Sequence, residues 1–169
     1  MADKGDADLT IRAPKPEEGM AVHRLIESCP PLDRNSAYCN LLQTTHFAGT
    51  SAIALLNGDV VGFVSGYLVP GKDDTLFIWQ VAVSEAARGL GLGKRLMMDI
   101  LRRPAAADVR YQETTITEDN AASWGMFKSL ARDLKADWTH EPFFERDRHF
   151  YGEHDSEILM RIGPFDPPA

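Results

Sequence analysis

The pattern of apolar residues along this 169-residue chain predicts an α/β (α+β) fold, a mixed central sheet flanked by helices. Three observations predict it. Strand-like runs are interspersed with stretches whose apolar residues recur every three to four positions. Asn57-Gly58-Asp59 lies between two strand-like runs and predicts a hairpin. The run Thr75–Val83 is almost continuously apolar and β-branched, which predicts a central strand buried on both faces.

The elements are expected in the order β-α-α-β-β-β-α-β-α-(β)-β. Leu9–Ala13 alternates as a short strand. Pro16 opens a helix, with Glu17 and Glu18 suited to its N-terminal dipole. Its expected apolar face is Met20, Val22, Leu25 and Ile26, and Cys29-Pro30-Pro31 stops it. A second helix is expected from Asn35 or Ser36, carrying Tyr38, Leu41 and Leu42 inward. Ser51–Leu56 and Val60–Val69 flank the hairpin turn. Leu90–Arg102 is expected as a helix with Leu92, Leu96 and Ile100 stacked at four-residue spacing, ended by Pro104. Val109–Thr117 is strand-like. Asp119 or Asn120 caps a helix whose face is Trp124, Phe127, Leu130 and Leu134, and Ile158–Ile162 is a last strand. Residues 9–164 are therefore read as one domain, with loose tails at 1–8 and 165–169.

Composition narrows the class of function. The chain carries 18 Lys and Arg against 25 Asp and Glu, a net charge of −7. That balance disfavours general binding to nucleic acid or anionic membrane. No apolar run approaches the roughly 18 residues of a spanning helix, and the polar N-terminus does not resemble a signal peptide. Cys29 and Cys39 make no disulfide scaffold, so a reducing cytoplasm is the expected compartment. The five histidines show no metal-ligand spacing with cysteine or carboxylates, so no metal is expected.

The most informative stretch is Arg88-Gly89-Leu90-Gly91-Leu92-Gly93-Lys94, between a buried strand and a helix. Its three glycines alternate, which lets backbone approach a ligand closely. The free amides of the following helix and its dipole make an anion site. From Arg88 to Arg103 there are five cations and one anion, inside an acidic chain. Lys94 is followed by Arg95 rather than Ser or Thr, which excludes a Walker A loop. The glycine spacing also fails the dinucleotide fingerprint.

Arg88-x-x-Gly91-x-Gly93 resembles the Arg/Gln-x-x-Gly-x-Gly/Ala motif of the GNAT acetyltransferases, and the element order is similar to theirs from Leu9 to Ile162. The resemblance implies acetyl-CoA in a cleft between the central strands. It implies that Arg88, Gly89, Gly91, Gly93 and Lys94 hold the pyrophosphate, and that Val81 and Val83 pair their backbone with the pantetheine arm. It implies that Asn120, with Ser123, contacts the cofactor and that the Val81 amide faces the reacting carbonyl. Many members place a tyrosine seven residues after that asparagine as an acid for the thiolate; here the position is Phe127. The segments around Asp33, Tyr38, Trp79 and Glu113, and the ending His154-Asp155-x-Glu157, are similar to a branch of the family whose acceptor is L-2,4-diaminobutyrate, on the route to the osmoprotectant ectoine. That branch implies a homodimer and substrate contacts from Asp33, Tyr38, Trp79, Glu113 and His154.

Read from their own chemistry, these residues keep alternatives open. Asp33 suits a turn or a contact to an ammonium. Tyr38 suits a core position or the acceptor. Trp79 alternates with Phe77 and Val81, which predicts one shared face; it suits core packing or, if Val81 meets the cofactor arm, a place beside the acceptor. Glu113, a carboxylate in a buried strand, suits an exposed or salt-bridged edge position, proton removal from the amine, directly or through water, or binding alone. His154 suits the acceptor or a surface loop. The tract Glu141–Tyr151 reads as a lid, a dimer contact or a loop. Two other functions remain open at this point. One is acetylation of a different small amine such as ornithine, lysine or a polyamine; the other is an acyl-CoA sensor without turnover.

Overall fold

The computed structural model describes residues 8–169. The expected tail at 1–8 lies, apart from Asp8, outside the described residues. A seven-stranded mixed sheet has the order β1-β2-β3-β4-β5-β7-β6. Its strands are β1 (Leu9–Arg12), β2 (Ala52–Leu56), β3 (Asp59–Leu68), β4 (Thr75–Val83), β5 (Tyr111–Thr117), β6 (Trp138–Phe144) and β7 (Glu157–Ile162). The helices are α1 (Gly19–Glu27), α2 (Ala37–Gln43), α3 (Leu92–Leu101) and α4 (Ala121–Asp133). β4 is the middle strand, as its continuous apolar run predicts, and only its pairing with β5 is parallel. Asn57 (φ 52°) and Gly58 (φ 89°) form the two-residue turn between β2 and β3.

Leu92, Leu96 and Ile100 of α3 and Phe127 and Leu130 of α4 cover one sheet face with Leu76, Ile78 and Met160. Val22, Leu25 and Ile26 of α1 cover the other with Ile53, Phe63 and Ala82. Arg12 bonds Glu18 across the first turn, and that guanidinium holds the Glu18 carboxyl below the usual range.

Three expectations are corrected. Met20 is exposed, because it lies two residues, more than half a turn, from Val22. α2 is inverted relative to its expected face: Asn40 and Gln43 are buried, while Tyr38 is 70% exposed and Leu41 also faces out. Its buried side is held by hydrogen bonds, His23 Nδ1 to Asn40 Oδ1 at 2.9 Å and Asn40 Nδ2 to Gln43 Oε1 at 2.9 Å. Phe165–Ala169 is not loose: Phe165 is 5% exposed, its amide donates to Arg110 O at 2.9 Å, and Arg102 Nε donates to Ala169 O at 2.8 Å. The first part of the tract Glu141–Tyr151 belongs to β6, an edge strand with little burial.

Candidate active site

β4 and β5 pair only from Thr75 to Phe77 against Tyr111 to Glu113, and then diverge. The cause lies in β4. Ser65 pairs with Gln80 and Gly66 with Ile78, which leaves Trp79 as the extra residue of a bulge. The bulge switches strand parity. Leu76 and Ile78 join the α3–α4 layer before it; Val81 and Val83 join that layer after it. Phe77 and Trp79 instead meet Tyr67, with ring centroids 5.3 and 6.3 Å away. The shared face expected for Phe77, Trp79 and Val81 is thus corrected: Val81 lies on the opposite face. Thr114 Oγ1 donates to Ile78 O at 3.0 Å and pins the point of divergence. The gap beyond it is a cleft of about 1120 Å³.

The cofactor half is built from backbone. Ser84 N donates to Val61 O at 2.8 Å, so strand alternation turns the Ala82 and Gln80 amides to β3. The Val81 and Val83 amides consequently face the gap. Gly91, with φ +64°, is the N-cap of α3 and supplies no side chain to its first-turn amides. Gly89, with φ +82°, turns the chain before it, and nothing lies within 4 Å of where a Cβ of Gly89 or Gly91 would stand. These open amides and the room above them fit a pyrophosphate. Gly93 has a different reason. A Cβ there would stand 2.6 Å from Met126 Sδ and 3.2 Å from Val81 Cγ1, so glycine lets α3 pack on β4 and α4. The expectation for Lys94 is corrected in its side chain. Its ammonium meets Asp133 Oδ2 at 2.7 Å and Ser129 Oγ at 3.0 Å, tying α3 to α4, while its amide stands in the open first turn of α3. Across the gap, Asn120 Oδ1 accepts from Ser123 N at 3.1 Å as the α4 cap, and both residues line the cleft. Phe127 lines the same wall.

The acceptor end is built from side chains on loops. Gln80 Nε2 donates to Asp33 O at 2.8 Å and Gln80 Oε1 accepts from Asn35 Nδ2 at 3.0 Å, which fixes the 33–35 loop to β4. From the other side the loop after β6 brings His154, whose Nε2 is 3.9 Å from Asp33 Oδ2. Asp33, Trp79, Thr115, His154 and Glu157 all line the cleft here. Burial pushes the Glu157 carboxyl above the usual carboxylate range, and the Asp33 charge adds to this; the Thr115 hydroxyl and His154 oppose it.

Two expected substrate residues are placed elsewhere. Tyr38 points to solvent from α2 and is not in the cleft lining. Glu113 is buried but faces Arg161, with which it forms a close ion pair, and Lys72 Nζ at 3.8 Å. Arg161 also stacks on Tyr111, its Cζ 3.8 Å from the ring centre. Glu113 is thus held by two cations, one of them across β5 and β7, and lies outside the cleft lining. Glu157, Gln80 and Thr115 were missed as individual site residues. Gln80 had a signal, a lone amide in an apolar strand. Glu157 closes the His154-Asp155-x-Glu157 segment, but its burial depends on β7 pairing.

A family model for the GNAT acetyltransferases matches residues 20–131. The chain belongs to the GNAT acetyltransferase family, and acetyl-CoA is its acyl donor. It is 50% identical over 157 residues to an L-2,4-diaminobutyric acid acetyltransferase of Methylotuvimicrobium alcaliphilum, covering 93% of this chain and 91% of that one. It is also 50% identical to the protein so named from Halomonas elongata, covering 93% and 82%. Among solved structures it is similar to diaminobutyrate acetyltransferase EctA from Paenibacillus lautus in complex with its substrate L-2,4-diaminobutyric acid and coenzyme A. That match has TM-score 0.90 and 33% identity, and covers 97% of this chain and 99% of that one.

Proposed function

We propose that this chain transfers acetyl from acetyl-CoA to the 4-amino group of L-2,4-diaminobutyrate by direct attack in a ternary complex, as a step towards ectoine. The observation that carries the reading is the acid-lined acceptor end, where half-buried Glu157 and the Asp33 loop flank Trp79. A molecule with two ammonium groups suits two carboxylates, and the Trp79 ring adds a cation–π surface worth about 0.5–2 kcal/mol. The names of the relatives support the same acceptor.

The donor supplies a thioester whose carbonyl oxygen gains negative charge as the amine attacks. The Val81 amide, turned to the gap, donates to that oxygen. Glu157 accepts the proton from the ammonium; its raised pKa narrows the gap to an amine and makes it a better base than an ordinary carboxylate. Asn120 and Ser123 hold the pantetheine arm against the wall opposite Val81. Phe127 offers no proton, so the thiolate is protonated by water. Asp33 and His154 close the outer side of the acceptor pocket. In the same reading the protein works in the cytoplasm as a homodimer. No helix among the described residues is long and apolar enough to cross a membrane, and edge strand β6 exposes Phe143 and Phe144.

Thiol release from acetyl-CoA tests the reading, with diaminobutyrate, ornithine, lysine and putrescine as acceptors. Fastest release with diaminobutyrate, and NMR placing the acetyl on the 4-nitrogen, is the expected result. Faster release with a longer acceptor moves the substrate along the series, and binding of acetyl-CoA with no release for any amine overturns the enzymatic reading.

A further inference from the structure

The acceptor differs from a plain diamine by one carboxylate, and the acid-lined end of the cleft repels it. Asp33, Asp119, Glu153, Asp155 and Glu157 line the cleft, and Arg146 is the only Lys or Arg among the lining residues. Among the described residues no carboxylate lies within ion-pair distance of Arg146. Arg161 is already engaged by Glu113 and Tyr111, and Arg34 and Arg148, in the two loops, lie outside the lining.

The loop after β6 holds Arg146 in place. Its amide donates to Ser156 Oγ at 2.8 Å, and its carbonyl accepts from Gly152 N at 2.9 Å. One guanidinium nitrogen, Nη2, donates to Gly152 O at 3.3 Å, which leaves the other donors of the fork open. A planar fork with open donors matches a carboxylate bidentately, and a lysine would match it less well. We infer that Arg146 binds the α-carboxylate of the acceptor and makes the enzyme select an amino acid over the decarboxylated diamine. The inference rests on the diamino acid reading above. Asp33 and Glu157 then take the two nitrogens, and Arg146 fixes which nitrogen reaches the thioester.

Kinetics with two acceptors test this, L-2,4-diaminobutyrate and 1,3-diaminopropane, the same molecule without the carboxylate. Where 1,3-diaminopropane is not turned over, its competitive inhibition constant is read instead. Arg146→Gln is expected to lower kcat/KM for diaminobutyrate by about 10- to 200-fold, mainly through KM. Values for 1,3-diaminopropane and the KM for acetyl-CoA stay within about twofold, and Arg146→Lys recovers part of the loss. Equal loss on both acceptors, a raised KM for acetyl-CoA, or no change on either overturns the inference. Wild-type enzyme that takes both acceptors equally well overturns it too, while leaving acetyl transfer intact. Wild-type enzyme that releases thiol with neither overturns the acceptor reading itself.

Discussion

The cofactor half of the cleft offers mainly backbone, and the acceptor end offers side chains carried on two loops and on the strands β4, β5 and β7. Around α3 and β4 the groups offered to the cofactor in the proposed reading are amides left open by Gly89 and Gly91 and by the divergence of β4 from β5. Any sequence that keeps those conformations keeps that site. At the proposed acceptor end the side chains lining the cleft include Glu157, Asp33, His154 and Arg146, brought together from two loops and a strand. The difference teaches where specificity can diverge while the donor stays constant.

The largest expected effect falls on the acceptor end. Glu157→Gln should lower kcat by about 100-fold or more, with the KM for acetyl-CoA unchanged. In the native enzyme the acid limb of the rate profile should lie above the ordinary carboxylate range, since the proton acceptor is lost as pH falls through the raised pKa of Glu157. Linkage gives the stability sign. A carboxyl whose folded pKa is raised binds more protons folded than unfolded, so stability declines as pH rises through that window. Glu157→Gln should therefore melt at a higher temperature than wild type at neutral pH; a lower one breaks the assignment.

On the cofactor side Gly91→Val should raise the KM for acetyl-CoA by about tenfold, because a β-branched residue is strained at φ +64° and its side chain enters the open space above the amides. The KM for the acceptor should stay near wild type. An equal effect on both would break the division into halves.

Glu113→Gln separates an anchor from a base. Denaturant unfolding should show a loss of about 1–3 kcal/mol, because Arg161 loses its ionic partner, while kcat stays within about threefold. The smallest effect belongs to Lys94→Met. It removes a partly exposed tie between α3 and α4, worth under about 1 kcal/mol, and leaves the KM for acetyl-CoA within about twofold.

Sequence alone determined the elements whose cause is local. The hairpin at Asn57-Gly58 needs two positive φ angles, the middle strand needs apolar residues on both faces, and the α3 turn needs glycine where φ is positive. Those demands are written into consecutive residues, so the fold, the glycine turn before α3 and the family were legible. Tertiary structure decided the rest. The bulge at Trp79 moved Val81 to the opposite face, β7 pairing gave Glu113 to Arg161, and the buried amides of α2 turned Tyr38 to solvent. Glu157 became the half-buried carboxylate of the cleft only because β7, Asp33 and His154 converge on it. Burial and charge environment are sums over neighbours distant in sequence, and one residue of register in a strand reverses which face a side chain takes.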